Sequence, residues 1–404
     1  MKNSNKKIID QEDLLGQIFT RAISNKSIIQ NNEGLRPDYI PNKLLFREEQ
    51  ISTLAQIISP ILRNQRCSNV LLYGKTGTGK TATVRFVLNN LEKRIKSLNI
   101  PFTLAYSNSR ITGTEYRIIL NIAESLNIKL PFTGLSVGEA YSRVTEKISK
   151  DAINVIIVLD EIDYLIKNTG DNLLYELTRS YEHISPGNIS LIGISNDLRF
   201  KEILDPRVLS SLGEEELVFP PYNVDELRQI LFDRVNLTFK PSSVTTAAIN
   251  LCAALAGTEH GDARRAVDLL RVSGEITERE GASQVEEHHV RIALQKMEQD
   301  RIIESLRVLP LQSKIVLLSV KSSKIKSTGE AYDYYKSLCN KLGVEPLTPR
   351  RISGLLTELD MQGIISANLS SQGRYGRTKK ITCLISNEII NLVFSKDPLI
   401  GTII

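Results

Sequence analysis

Apolar positions along this 404-residue chain fall into three regimes. From residue 16 to 222, short runs rich in Val, Ile and Leu alternate with stretches of helical period. The runs are NVLLY ending at Tyr73, FTLAYS at 102–107, NVIIVLD at 154–160, ISLIGIS at 189–195 and ELVFP at 216–220. Strands apolar at nearly every position are buried on both faces, which predicts a parallel sheet between two helical layers. From 223 to 300 the period is helical throughout. VDELRQILFDRVNL, SSVTTAAINLCAALAG and GDARRAVDLLRVSGEITERE each carry an apolar stripe, and together they predict a small bundle. From 301 to 404, three helical segments (about 310–321, 328–342 and 348–362) precede two β-prone runs, GIISANLS and KKITCLIS. Residues 1–15 are polar and predict a flexible N-terminus.

Composition narrows the class. Hydrophobic content of 41% and charged content of 24% are ordinary for a soluble globular protein. No apolar run reaches membrane-spanning length and no signal-peptide core opens the chain, so a cytoplasmic, nucleoid-associated protein is expected. Cys67, Cys252, Cys339 and Cys383 lie far apart, and the four histidines show no ligand spacing, which argues against a disulfide framework or metal centre. Charge is uneven. Residues 301–404 hold 15 Lys+Arg against 8 Asp+Glu, a net +7, while the first 300 hold 36 against 38, a net −2. A basic terminal module on a near-neutral body points to a polyanionic partner.

The segment Gly74, Lys75, Thr76, Gly77, Thr78, Gly79, Lys80, Thr81 matches GxxxxGK followed by Ser or Thr, after a predicted strand and opening a predicted helix. Its glycines let backbone N–H groups curl around phosphate oxygens, and the helix N-terminus adds its positive end. Lys80 is placed for the β- and γ-phosphates, and Thr81 for Mg²⁺. VIIVLDEID puts Asp160 at the end of a buried strand as a second Mg²⁺ ligand, with Glu161 beside it to polarise a water. LIGISND repeats that geometry and offers Asn196 to the water or the γ-phosphate. ATP or ADP with Mg²⁺ is the expected cofactor.

The terminal module has clear punctuation. Thr348 suits an N-cap, Pro349 the first helical position and Gly363 the position after the last turn. Ile352, Leu355, Leu356 and Leu359 form one stripe, leaving Arg350 and Arg351 in the first turn, where the helix dipole disfavours them. Three helices and a hairpin read as a winged helix. The hairpin loop SSQGRYGRTKK is its wing, with Gly373 and Gly376 framing Arg374 and Tyr375, followed by Arg377 and Lys379. These cations suit duplex DNA, through phosphates or a narrow minor groove.

The order phosphate loop, DEID, strand-end Asn and helical lid resembles the AAA+ ATPases. The resemblance implies an α/β AAA+ core with a helical lid, followed by the C-terminal winged helix. It also implies that Arg264, in GDARRAVDLLR, contacts the γ-phosphate. LDPRVLSSLGEEELVFPPY, GDARRAVDLLR, GRYGRTKK and RPDYIPNKLLFREEQ together resemble archaeal replication initiators of the origin-recognition-complex and cell-division-cycle six type, over roughly residues 30–404. That narrower likeness implies an adenine-side segment with Tyr39, Pro41 and Arg47. It also implies a DNA-touching insertion carrying Arg110, Thr112, Thr114, Tyr116 and Arg117. Its implied partners are origin duplex DNA, paralogous initiator subunits and the replicative helicase. One departure stands out. Ser211 occupies the place of a trans-acting arginine, with Arg207 one helical turn away, which implies a slow ATPase switch. The resulting expectation is an origin-binding initiator. A ring-forming loader acting on protein partners and a DNA-binding regulator with a vestigial nucleotide site are the alternatives.

Overall fold

The computed structural model describes residues 27–37, 39–321, 327–371 and 377–403. Residues 1–15 and the hairpin tip with Gly373, Arg374, Tyr375 and Gly376 lie outside the described residues. The chain divides into two compact units between Ala293 and Leu294.

In the first unit five strands form one parallel sheet. They are β1 (Val70–Tyr73), β2 (Phe102–Asn108), β3 (Asn154–Asp160), β4 (Asn188–Ser195) and β5 (Glu215–Val218), in the order β2-β3-β4-β1-β5. All seven β3 positions are buried. Successive side chains alternate between two cores, as the strand period of two requires. Leu71, Val155, Ile157, Leu159 and Leu191 pack with Ile118, Ile122, Val144, Ile148 and Leu165. Val70, Leu72, Ile156, Val158, Ile192 and Ile194 pack with Leu54, Val84 and Leu88. The fifth strand stops earlier than the sequence pattern suggests. Phe219 N–H still donates to the Tyr73 carbonyl, but Pro220 has no N–H to continue the ladder.

The helical segment after Pro221 folds into the same unit. Asn223 closes a reciprocal capping box with Glu226 and starts the helix Val224–Thr238. Thr245 and Asp262 accept from backbone N–H groups and start Thr246–Thr258 and Ala263–Glu280. The helix Glu287–Arg307 has no single apolar stripe. Its early residues Val290 and Ala293 are buried in the first unit, while Leu306 joins the core of the second.

The second unit holds the helices Leu311–Val320, Thr328–Leu342 and Pro349–Met361, then the antiparallel hairpin β6 (Ile365–Ser371) and β7 (Arg377–Cys383). Thr348 caps Pro349–Met361, and Gly363 follows it at φ 69°. Ile352, Leu355, Leu356 and Leu359 are buried. A short helix Asn387–Phe394, which the sequence pattern did not single out, adds Ile390, Val393 and Phe394 to the same core. This is a winged helix. Among the described residues no helix is long and apolar enough to cross a membrane.

Ile157 has no exposed surface, so Ile157→Ala is expected to destabilise the sheet by about 2–5 kcal/mol, lowering the urea midpoint followed by circular dichroism. Val218→Ala, at a 52% exposed position, should stay within about 0.5 kcal/mol in the same assay.

Candidate nucleotide site

The loop from Gly74 to Thr81 turns β1 into the helix Lys80–Leu98. Gly77 takes φ 69°, and a Cβ there would lie 1.7 Å from an Asp262 carboxylate oxygen. A side chain at Gly77 would thus be strained and would also push away the start of the helix Ala263–Glu280. At Gly74, a Cβ would meet the Phe219 carbonyl at 2.4 Å, so this glycine serves close packing against the end of β5.

Two buried cations bind the loop's carbonyl oxygens. Lys80 Nζ donates to the carbonyls of Gly74 and Lys75, both at 2.7 Å. Burial pulls the Lys80 pKa down to about 8, with Asp160 opposing. Arg47 donates through Nε to the Thr78 carbonyl (2.9 Å), through Nη1 to Phe46 (2.6 Å) and through Nη2 to Pro220 (2.7 Å). Its Cζ stands 3.7 Å from the Tyr222 ring centroid, a cation–π contact.

The carboxyl ends of the strands supply the acidic side. Asp160 pairs in register with Asn108 of β2. Asp160 Oδ2 accepts from Thr81 Oγ1 at 3.0 Å and from the Tyr106 hydroxyl at 2.5 Å, and Oδ1 accepts from the Glu161 N–H at 3.0 Å. Burial, reinforced by the bond to Asp160, drives the Tyr106 pKa well above its usual value, so its proton stays in place. Arg85 lies over the Tyr106 ring at 4.7 Å. Glu161 adopts a left-handed backbone at φ 54°, an uncommon state for a non-glycine residue. Its carboxylate accepts from Asn108 Nδ2 at 3.3 Å and faces Arg110 Nη1 at 3.8 Å. Asp163 accepts from Ser195 Oγ (3.1 Å) and from the Asn196 N–H (3.2 Å), which fixes the end of β4.

Lys80, Thr81, Arg85, Tyr106, Asn108, Asp160, Glu161 and Asn196 line one cavity of about 440 Å³. Thr76 to Thr81, Asp160, Glu161, Asn196 and Arg264 form its polar part. Tyr39, Ile40, Pro41, Leu44, Leu45, Ile230 and Val267 form an apolar part suited to a flat heterocycle. Thr81 and Asp160 bring two hard oxygen donors within hydrogen-bond distance, a donor set that fits Mg²⁺.

Several sequence-predicted residues stand elsewhere. Arg47 is not on the cavity wall, because its guanidinium is taken up by three carbonyls beneath the loop. Gly74 packs against β5, and Lys75 is exposed, 3.4 Å from His260 Nδ1. Arg110 is exposed but faces Glu161, and it lies over the Tyr164 ring at 6.0 Å. Thr112 Oγ1 back-bonds to the Asn108 carbonyl, Thr114 caps the helix Glu115–Ser125, and the Tyr116 hydroxyl donates to the Pro131 carbonyl. Arg117 lies over the exposed Phe132 ring at 5.7 Å. In the second unit Arg350 and Arg351 are exposed in the first turn of their helix, whereas Lys379 Nζ donates to Thr357 Oγ1 at 2.8 Å. Arg377 opens β7, and its side chain lies outside the described part. Ser211 sits in the helix Pro206–Leu212, its carbonyl taken by Asn69, and Arg207 is held by Asp205 through two 3.1 Å hydrogen bonds.

Asn108, Tyr106, Arg85 and Arg234 were missed. The signal for the first two was present, since FTLAYSN ends as VIIVLD does, at a parallel strand's carboxyl end. Glu280, His288 and His289 also cluster within 4.8 Å, but His289 Nδ1 accepts the Glu286 N–H at 3.0 Å. That bond closes the start of the helix Glu287–Arg307, and the group reads as a helix cap.

An AAA domain model matches residues 63–201, the Cdc6 AAA+ ATPase-type lid domain model residues 228–295, and the CDC6 C-terminal winged helix domain model residues 304–392. Fold and site thus define an AAA+ ATPase-type core with a Cdc6 lid and a winged helix. The ORC1-type DNA replication protein of Pyrococcus horikoshii is 50% identical over 392 residues, covering 95% of this chain and 94% of that protein. ORC1-type DNA replication protein 1 of Sulfurisphaera tokodaii is 45% identical, covering 98% and 99%. The structure of the Aeropyrum pernix ORC1 protein in complex with DNA superposes with a TM-score of 0.84 at 46% identity, covering 94% of this chain and 100% of that one. This chain belongs to the ORC1-type DNA replication proteins, and the likeness read from its motifs is borne out.

Arg47→Met removes a buried donor from three carbonyls, so it should destabilise the first unit by at least about 2 kcal/mol. Denaturant unfolding of the full chain checks this, and an unchanged midpoint would count against the clamp.

Proposed function

We propose that this chain is an ATP-dependent replication initiator that binds duplex DNA at origins, helps recruit or load the replicative helicase, and uses a slow ATPase as a switch. The carrying observation is that one chain combines a phosphate-loop cavity with a basic winged helix whose first-turn arginines, Arg350 and Arg351, are exposed. That a relative of 46% identity was solved in complex with DNA supports the duplex as partner.

In this reading the loop N–H groups, Lys80 and Arg264 hold the phosphates of ATP or ADP, and Tyr39 and Pro41 flank the base. Thr81 and Asp160 would hold Mg²⁺, which when bound would supply neutralisation of phosphate charge. Tyr106 keeps Asp160 oriented through its hydroxyl. Glu161 takes up a proton from water, with Asn108 and Arg110 fixing where its carboxylate stands. Asn196, set by Asp163, orients that water. Hydrolysis is slow because Ser211 supplies no cation and Arg207 is already committed to Asp205.

The winged helix grips duplex through Arg350, Arg351, Arg374, Tyr375 and Arg377, and the core adds Arg110, Thr112 and Arg117. Paralogous initiator subunits are further partners. The protein works in the cytoplasm on the nucleoid.

Binding to origin and random duplexes across a salt series tests the DNA half. The variant Arg374→Ala, Arg377→Ala should bind more weakly, with a salt slope shallower by about 0.9 for each phosphate that is no longer neutralised. No duplex binding by the native chain at low salt overturns the reading.

The nucleotide half has a pH signature. Burial depresses the Lys80 pKa to about 8, so its charge is present below that pH and lost above it. An anion bound beside Lys80 favours the charged form. ATP affinity should therefore be level below about pH 7 and fall by up to about tenfold per pH unit above about pH 8. Lys80→Arg, which keeps its charge, should flatten the profile. A level native profile to about pH 10 would contradict the role given to Lys80.

A further inference from the structure

The apolar part of the cavity contains one charged side chain with an unmet need. Arg234, on the helix Val224–Thr238, lines the cavity and lies with its Cζ 4.6 Å from the Tyr39 ring centroid. Its Nη1 is buried and finds no hydrogen-bond acceptor among the described residues. Tyr39 holds the guanidinium by its face, which leaves the in-plane N–H groups available. A buried donor without an acceptor is unfavourable, and a guanidinium can only donate, so its complement must be a lone pair. Tyr39, Ile40, Pro41 and Ile230 line the same cavity and offer a surface for a flat ring, and Asp233, also on its wall, acts on the Arg234 charge without meeting Nη1.

We infer that Arg234 is a nucleoside-reading residue, donating from its guanidinium to a ring nitrogen of the purine base while Tyr39 holds the group in place. This rests on the nucleotide reading above and deepens it. It assigns base recognition to a lid side chain, so that lid position and base occupancy are linked through one hydrogen bond. Phosphate recognition belongs to the loop and Lys80, and the two can be separated by ligand.

The test compares ATP, ADP and inorganic tripolyphosphate by calorimetry, on the full chain and on Arg234→Met, Arg234→Lys and Lys80→Ala. Arg234→Met should lose about tenfold or more in affinity for both nucleotides and leave tripolyphosphate within about twofold. Arg234→Lys keeps the charge but not the planar fork, and it should also lose nucleotide affinity selectively. Lys80→Ala should lose affinity for all three ligands, which ties the tripolyphosphate signal to the loop. Unchanged ATP affinity in Arg234→Met, or an equal loss for tripolyphosphate, overturns the inference and leaves the nucleotide reading standing. If the native chain binds no ATP, both fall. Thermal melting accompanies each variant, and if Arg234→Met does not fold, the Lys variant decides.

Discussion

The phosphate loop keeps its shape because buried cations bind its own carbonyls. Lys80 takes the carbonyls of Gly74 and Lys75, and Arg47 takes that of Thr78. Both cations are themselves disfavoured by burial, so the local structure is committed to keeping acceptors around them. Arg47 also holds the Pro220 carbonyl and lies against Tyr222, where the chain leaves the sheet for the lid. The loop, the end of β5 and the entry to the lid are therefore parts of one hydrogen-bonded assembly. Asp262, which starts the helix bearing Arg264, is packed against Gly77 in the same assembly.

The parallel sheet does the rest of the positioning. Its strands end on one side of the cavity, so Asn108, Asp160 and Asn196 arrive together from β2, β3 and β4. A parallel ladder fixes their relative heights, and buried flanks fix which way each side chain emerges. The acidic groups stay close together because each has donors. Asp160 has Tyr106, Thr81 and a backbone N–H, Glu161 has Asn108 and Arg110, and Asp163 has Ser195 and Asn196. The winged unit is organised on different terms. Its core is apolar, and its arginines stand on the outside of a helix whose dipole repels them, an arrangement that a polyanion would relieve.

Much of this was legible in the chain as written. Period and run length announced the sheet, the lid helices and the winged unit, because burial on two faces, one stripe or one side imposes different spacings on apolar residues. The phosphate loop was legible because its chemistry needs glycines, a lysine and a hydroxyl within eight consecutive positions. The cap at Thr348 marked a helix start for a similarly local reason. The helix Glu287–Arg307 was harder to read, since its apolar residues serve two cores and form no stripe.

Pairing across long stretches of chain was decided by the tertiary structure alone. The family likeness implied a base-side place for Arg47, yet its acceptors lie at Thr78 and Pro220. Lys379 looked like a free cation, yet it donates to Thr357, while Arg110 stays exposed with Glu161 facing it at 3.8 Å. Arg234 carried no motif at all, and only its place beside Tyr39 marks it. The sequence by itself determined the elements, the phosphate loop and the order of the acidic strand ends, because those follow from local geometry. Which charges are spent on the protein and which remain for a ligand depends on contacts between residues far apart in the chain, and only the folded chain decided that.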